Sequence, residues 1–90
     1  MIAHIIATGK VQGVGFRFTV QQKAISFEIT GWVKNLEDGS VEIEAEGTSE
    51  QLNIFIQSLK KELNPFVKIK DLHIEVKDVL KGYKKFRVLY

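Results

Sequence analysis

The 90-residue chain has no cysteine. Disulfide and thiolate chemistry are therefore excluded, a zinc site would lack its commonest ligands, and the fold must hold by packing alone. No apolar run approaches the roughly 20 residues that a membrane helix needs. The first residues also lack the basic, apolar and small-residue order of a secretory leader, so the expectation is a cytoplasmic protein with no membrane partner. Charge of one sign is scarce too: 13 Lys and Arg against 11 Asp and Glu leave +2, too weak an excess to argue for nucleic acid by bulk electrostatics. The rest of the composition is ordinary for a globular chain, 44% hydrophobic and 27% charged, and the length suits one domain over residues 1–90 with one compact core.

The most informative stretch is Gly9-Lys10-Val11-Gln12-Gly13-Val14-Gly15-Phe16-Arg17. It follows an apolar run, Ile2 to Thr8, that reads as a central strand, and precedes a segment with helical spacing. Backbone N–H groups at such a turn can converge on one point, and a helix N-terminus adds partial positive charge there. An arginine at the same place adds a planar fork of donors that fits a phosphate. The stretch reads as an anion cradle of phosphate size, although two glycines can also make nothing more than a tight turn, with Arg17 a surface residue at a helix start.

Phe16, Val20, Ala24 and Phe27 form one helical stripe, placing a helix over about Phe18 to Phe27. Ile29 to Lys34 reads as a strand, with Gly31 marking a close backbone approach or a bend. Asp38-Gly39 signals a hairpin, and Asn35 beside it would ordinarily be a turn residue. Val41, Ile43 and Ala45 then alternate with Glu42, Glu44 and Glu46, which reads as a strand with one buried and one solvated acidic face. Thr48 and Gln51 make a capping box. Leu52, Phe55, Ile56, Leu59 and Leu63 follow as an amphipathic helix that Asn64-Pro65 ends. Leu72, Ile74 and Val76, with Val79 as an outer candidate, form another strand that leaves His73 on its wet side. Lys81-Gly82 is a turn, and Phe86, Val88 and Tyr90 form a last short strand. His4 reads as a strand-end or edge histidine hydrogen-bonded locally, with no partner at metal-ligand spacing. The order predicts an α+β fold, the ferredoxin-like βαββαβ two-layer sandwich, with two helices on one face of a mainly antiparallel sheet of strand order 4-1-3-2.

Known motifs narrow the cradle. A dinucleotide fingerprint would need glycine where Phe18 stands, and a P-loop would need Gly-Lys-Ser/Thr. Gly13-Val14-Gly15-Phe16-Arg17-Phe18 looks like the signature of an RNA-recognition sheet, but that signature belongs on the third strand, which here carries three glutamates. No nucleic-acid partner is expected.

Two signatures, Val11-Gln12-Gly13-Val14-Gly15-Phe16-Arg17 and Gly31-Trp32-Val33-Lys34-Asn35, with Asp38-Gly39 and Val41-Glu42 downstream, closely resemble those of the acylphosphatase family. The resemblance extends to the Phe86-x-Val88-x-Tyr90 ending. It implies a ferredoxin-like fold and metal-free hydrolysis of the carboxyl–phosphate bond of acyl phosphates, without a cofactor. It also implies that Arg17 binds the phosphate with the loop of Gln12, Gly13, Val14, Gly15 and Phe16, and that Asn35 orients the attacking water. A small acyl phosphate is the expected substrate, inorganic phosphate the product and inhibitor, and a monomer the default. Two departures stand out: Glu28 replaces a glycine common at the end of the first helix, and Thr19 replaces a bulky residue. Both bear on stability. The alternatives are a ferredoxin-like module that binds a small anion or a partner without turnover, or an acylphosphatase-like domain directed to carbamoyl phosphate.

Overall fold

A computed structural model describes every residue except Glu62. Its elements are β1 (Ile2–Lys10), α1 (Phe16–Ser26), β2 (Thr30–Asn35), β3 (Val41–Glu46), α2 (Ser49–Lys60), β4 (Lys68–Lys77) and β5 (Phe86–Leu89). The five strands form one sheet in the order β4-β1-β3-β2-β5. The pairs β1–β4, β1–β3 and β2–β3 are antiparallel, while β5 runs parallel to β2. This is the expected ferredoxin-like fold with its expected 4-1-3-2 order, and the short last strand is added at the β2 edge.

Alternation decides which face meets the helices. Ala3, Ile5 and Ala7 of β1, Val33 of β2 and Val41, Ile43 and Ala45 of β3 are all fully buried. They form one core with Phe16, Val20 and Ala24 of α1 and Leu52, Phe55 and Leu59 of α2. Gly31 is needed at the centre of this packing, because a Cβ there would lie 1.9 Å from the Glu44 carbonyl oxygen. The Phe55 and Phe86 rings meet at 6.3 Å and bring β5 onto the same core.

The helix limits differ from their expected positions. α1 begins at Phe16, two residues early, with Gly15 as an N-cap in the left-handed conformation and no side-chain cap. Thr19 closes this first turn by bonding the Gly15 carbonyl oxygen through both its N–H and its hydroxyl. α2 has its capping box at Thr48 and Gln51 but stops at Lys60, because Lys61 is extended. Asn64-Pro65 therefore shapes the following loop rather than the helix end: Asn64 Oδ1 accepts from the N–H groups of Phe66 and Val67. Leu63 still packs against the core, from the loop.

The glutamates of β3 require the main correction. Glu44 and Glu46 are each only 7% exposed, so this side of the strand is not a solvated face. The segment between β4 and β5 covers it. Glu46 accepts hydrogen bonds from the N–H groups of Lys81, Gly82 and Tyr83. Lys81 Nζ forms an ion pair with Glu44 at 2.5 Å, and Trp32 Nε1 donates to the Tyr83 hydroxyl. His4 is corrected as well. It sits on an interior strand, and its Nε2 lies 2.6 Å from Glu42 Oε2 of the neighbouring strand, a cross-strand pair rather than a local one.

Glu28 keeps the helix end that a glycine would make. It adopts φ 59°, and the Ile29 and Glu28 N–H groups bond the Ala24 and Ile25 carbonyl oxygens, the pairing of a Schellman motif. A side chain in this conformation costs on the order of 1 kcal/mol. Glu28→Gly should therefore raise unfolding stability by about 1 kcal/mol in urea titration, with hydrolytic activity unchanged. Glu46 generates a pH dependence. Burial alone would raise its carboxyl, but the N–H groups of Lys81, Tyr83 and Gly82 together hold it below its ordinary value of 4.5. A depressed carboxyl stabilises the fold above that ordinary value, and the contribution is lost as pH falls through the folded value. Melting curves from pH 7 to pH 2 should show the native protein above Glu46→Gln at neutral pH and the difference closing in acid.

Candidate active site

The strand β1 ends in a distortion that starts the loop. Its register with β4 shifts between Thr8 and Gly9, and a Cβ at Gly9 would lie 2.3 Å from the Lys68 carbonyl oxygen. The chain then runs through Gly13 at φ 72° and Gly15 at φ 78°, left-handed values that glycine reaches without strain. Both glycines are open to solvent, with nothing within 4 Å of where a Cβ would sit. Among the described residues, none of the backbone N–H groups from Gly13 to Phe18 has a hydrogen-bond partner. The last of them belong to the first turn of α1, where the helix supplies no acceptor and adds partial positive charge.

Neighbouring side chains fix this loop. Gln12 Nε2 donates to the Leu36 and Ser40 carbonyl oxygens at 2.8 Å each, tying it to the β2–β3 hairpin. Asn64 Nδ2 donates to the Val14 carbonyl oxygen at 3.3 Å and ties the loop to the segment between α2 and β4. The Val14 side chain packs against the core. The side chains of Gln12 and Val14 thus anchor the loop, while Gly13, Gly15 and Phe16 line the cleft beside it. The hairpin is itself braced, since Asp38 Oδ1 accepts from the Ser40 N–H and hydroxyl. Those two bonds, the hydroxyl first, hold the Asp38 carboxyl below its ordinary value.

Arg17 and Asn35 line the same cleft, an open space of about 730 Å³ between α1, the end of β2 and β5. Arg17 Nη1 donates to the Leu89 carbonyl oxygen at 3.1 Å, and its guanidinium lies 4.9 Å from the centre of the Tyr90 ring. The rest of the guanidinium fork is free of protein partners among the described residues. Asn35 is the last residue of β2, paired with Val41. Its Oδ1 is shielded and unpaired, and its amide makes no hydrogen bond to the described protein. A buried acceptor left without a donor costs about 1–3 kcal/mol, so this atom calls for a partner that the described protein does not supply. Among the described residues no Asp or Glu side chain lines the cleft, which carries Arg17, Lys85 and Arg87. Among the described residues, no group of three or more His, Asp or Glu is placed to hold a metal, and no helix is long and apolar enough to cross a membrane.

The structure places Arg17, Asn35, Gly13 and Gly15, which the sequence singles out, along one cleft. Sequence reasoning missed Asn64, the β5 carbonyl oxygens and Gln21, whose Nε2 donates to the Phe86 carbonyl oxygen. Asn64 had the signal of a turn residue, with nothing to say that its amide reaches the loop. The β5 carbonyl oxygens belong to the backbone, which no residue type announces.

The fold and the cleft define a ferredoxin-like domain with a turn of unpartnered N–H groups, among the described residues, between its first strand and first helix. A family model described as acylphosphatase matches residues 3–88. An acylphosphatase of Geobacillus kaustophilus is 44% identical over 87 residues, 97% of this chain and 92% of the relative. The crystal structure of acylphosphatase from Bacillus subtilis superposes with a TM-score of 0.93 at 42% identity, with both chains fully covered. Full-length HypF, in its phosphate- and nucleotide-bound form, matches with a TM-score of 0.85 at 30% identity over all of this chain but only 12% of its own. The chain belongs to the acylphosphatase family and is a hydrolase of that family.

Proposed function

We propose that this chain hydrolyses acyl phosphates to a carboxylate and inorganic phosphate without a metal, with Arg17 and the N–H groups of the Gly13–Phe18 turn holding the phosphate and Asn35 orienting the water. The observation that carries the reading is the meeting of opposites in one cleft: unpartnered donors on the Arg17 side, and on the other side an unpartnered carboxamide at the end of β2.

The chemistry asks for little more. The leaving group is a carboxylate, whose conjugate acid has a pKa near ~4, so it departs without a general acid. Phosphoryl transfer is loose, with charge on the three equatorial oxygens, and catalysis is mostly positioning and charge stabilisation. Water attacks phosphorus as the bond from phosphorus to the acyl oxygen breaks. Asn35 orients that water through its carboxamide, a group that can hydrogen-bond water and aim its oxygen without acting as a base. The water proton passes to a phosphate oxygen of the substrate. Arg17 enters with its Nη1 already placed by Leu89 and its plane by Tyr90, so less motion is lost when phosphate binds.

On this reading the substrate is a small acyl phosphate, phosphate is product and inhibitor, and the chain acts as a monomer in the cytoplasm. Benzoyl phosphate should be hydrolysed equally with and without EDTA; a metal requirement would sink the mechanism, and binding of phosphate without hydrolysis would favour the small-anion module. Arg17→Ala should abolish activity and weaken phosphate inhibition, and Arg17→Lys should recover little because a point charge lacks the fork. Asn35→Ala should keep phosphate inhibition and lower turnover at least ~10²-fold, the scale for losing one oriented transition-state contact. The reverse pattern, lost inhibition with intact turnover, would exchange the two roles.

A further inference from the structure

We propose that Gln21 is a positioning residue for the Arg17 guanidinium, acting through β5; the proposal rests on Arg17 being the phosphate ligand. Arg17 and Gln21 stand four residues apart on α1 and face the same way. Each donates to a β5 carbonyl oxygen at 3.1 Å, Arg17 Nη1 to Leu89 and Gln21 Nε2 to Phe86. Both side chains line the cleft.

β5 needs this second tie. It is a four-residue edge strand, paired only with β2 along one side. Both of Arg17's contacts, the Leu89 carbonyl oxygen and the Tyr90 ring, lie at the far end of that strand. Phe86 anchors the near end in the core. A short edge strand held at its near end and along one side can slide or splay relative to the helix above it. The Gln21 bond fixes the helix–strand offset at Phe86, and so fixes where Leu89 presents its carbonyl to an arginine carried on the same helix. Arginine loses rotamer freedom when it binds an anion, and a guanidinium already held loses less. Gln21 touches neither phosphate nor water in this scheme; it keeps the fork aimed.

The test is a double-mutant cycle on phosphate affinity, read directly by calorimetry or by NMR titration with inorganic phosphate. Gln21→Met keeps the length of the side chain and removes the donor; Gln21→Ala removes both. Each should weaken phosphate binding about fivefold, the scale of one intramolecular hydrogen bond, with a parallel fall in kcat/KM for benzoyl phosphate. In an Arg17→Ala background the same substitutions should change phosphate binding less than twofold. Unchanged phosphate affinity with a lowered melting temperature would make Gln21 a structural tie only and overturn the proposal. So would an equal loss of affinity in both backgrounds. If Arg17→Ala alone leaves phosphate binding intact, the phosphate role of Arg17 fails, a result separable from the failure of Gln21.

Discussion

The loop depends on one geometric constraint: among the described residues, the backbone N–H groups from Gly13 to Phe18 stay without partners while the chain turns from a strand into a helix. Ordinary residues turn there only at a steric cost, because a left-handed conformation crowds Cβ. Gly13 and Gly15 remove that cost at two points. With Gly15 as N-cap there is no side chain to satisfy the first N–H groups of α1, so a cap that would ordinarily stabilise the helix is forgone. The stability given up is recovered around the loop, not within it. Gln12 ties it to the hairpin, Asn64 holds Val14, and Thr19 closes the first turn. The donors stay free because their supports are all side chains and carbonyl oxygens outside them.

Strand order then supplies the second half of the site. The sheet reads β4-β1-β3-β2-β5, and the loop after β1 is bonded through Gln12 to the hairpin that follows β2. The end of β2, where Asn35 stands, therefore opens on the same cleft as the loop. An asparagine beside a hairpin would ordinarily spend its carboxamide on the turn. Here Asp38 and Ser40 brace the turn instead, and Asn35 is left uncommitted.

Much of this was legible in the sequence because the residues concerned act locally or periodically. The alternation of Val41, Ile43 and Ala45 named the buried side of β3, and Thr48 with Gln51 named the start of α2. Glu44 and Glu46 were misread because a period of two says which side a residue faces, not what covers that side. The covering segment, around Lys81 to Tyr83, has no period and binds Glu46 through its backbone, so its sequence carries no mark of the contact. The start of α1 was misplaced because its N-cap is a glycine with no capping side chain to announce it. The end of α2 was overrun because Leu63 continues the apolar spacing while packing from a loop. Glu28 was legible as a departure, but only the backbone reveals that the chain kept the glycine-like turn and bears the strain.

The two faces of the sheet are joined through β5. On the outer face, Glu46 and Glu44 clamp the segment that leads into this strand. On the helix side, Arg17 and Gln21 bond its carbonyl oxygens. Parallel pairing with β2 places Val33 beside Val88 and Lys34 beside Leu89, so the strand that carries Asn35 at its end also aligns the carbonyl that holds Arg17. Arg17 and Asn35 are therefore referenced to a common backbone frame, Asn35 directly on β2 and Arg17 through β5. A chain of this length has few side chains to devote to chemistry, and a reaction with a good leaving group asks for few. On the proposed roles, what the reaction does ask for is a fixed relation between phosphorus and water, which a sheet shared by Arg17 and Asn35 would provide.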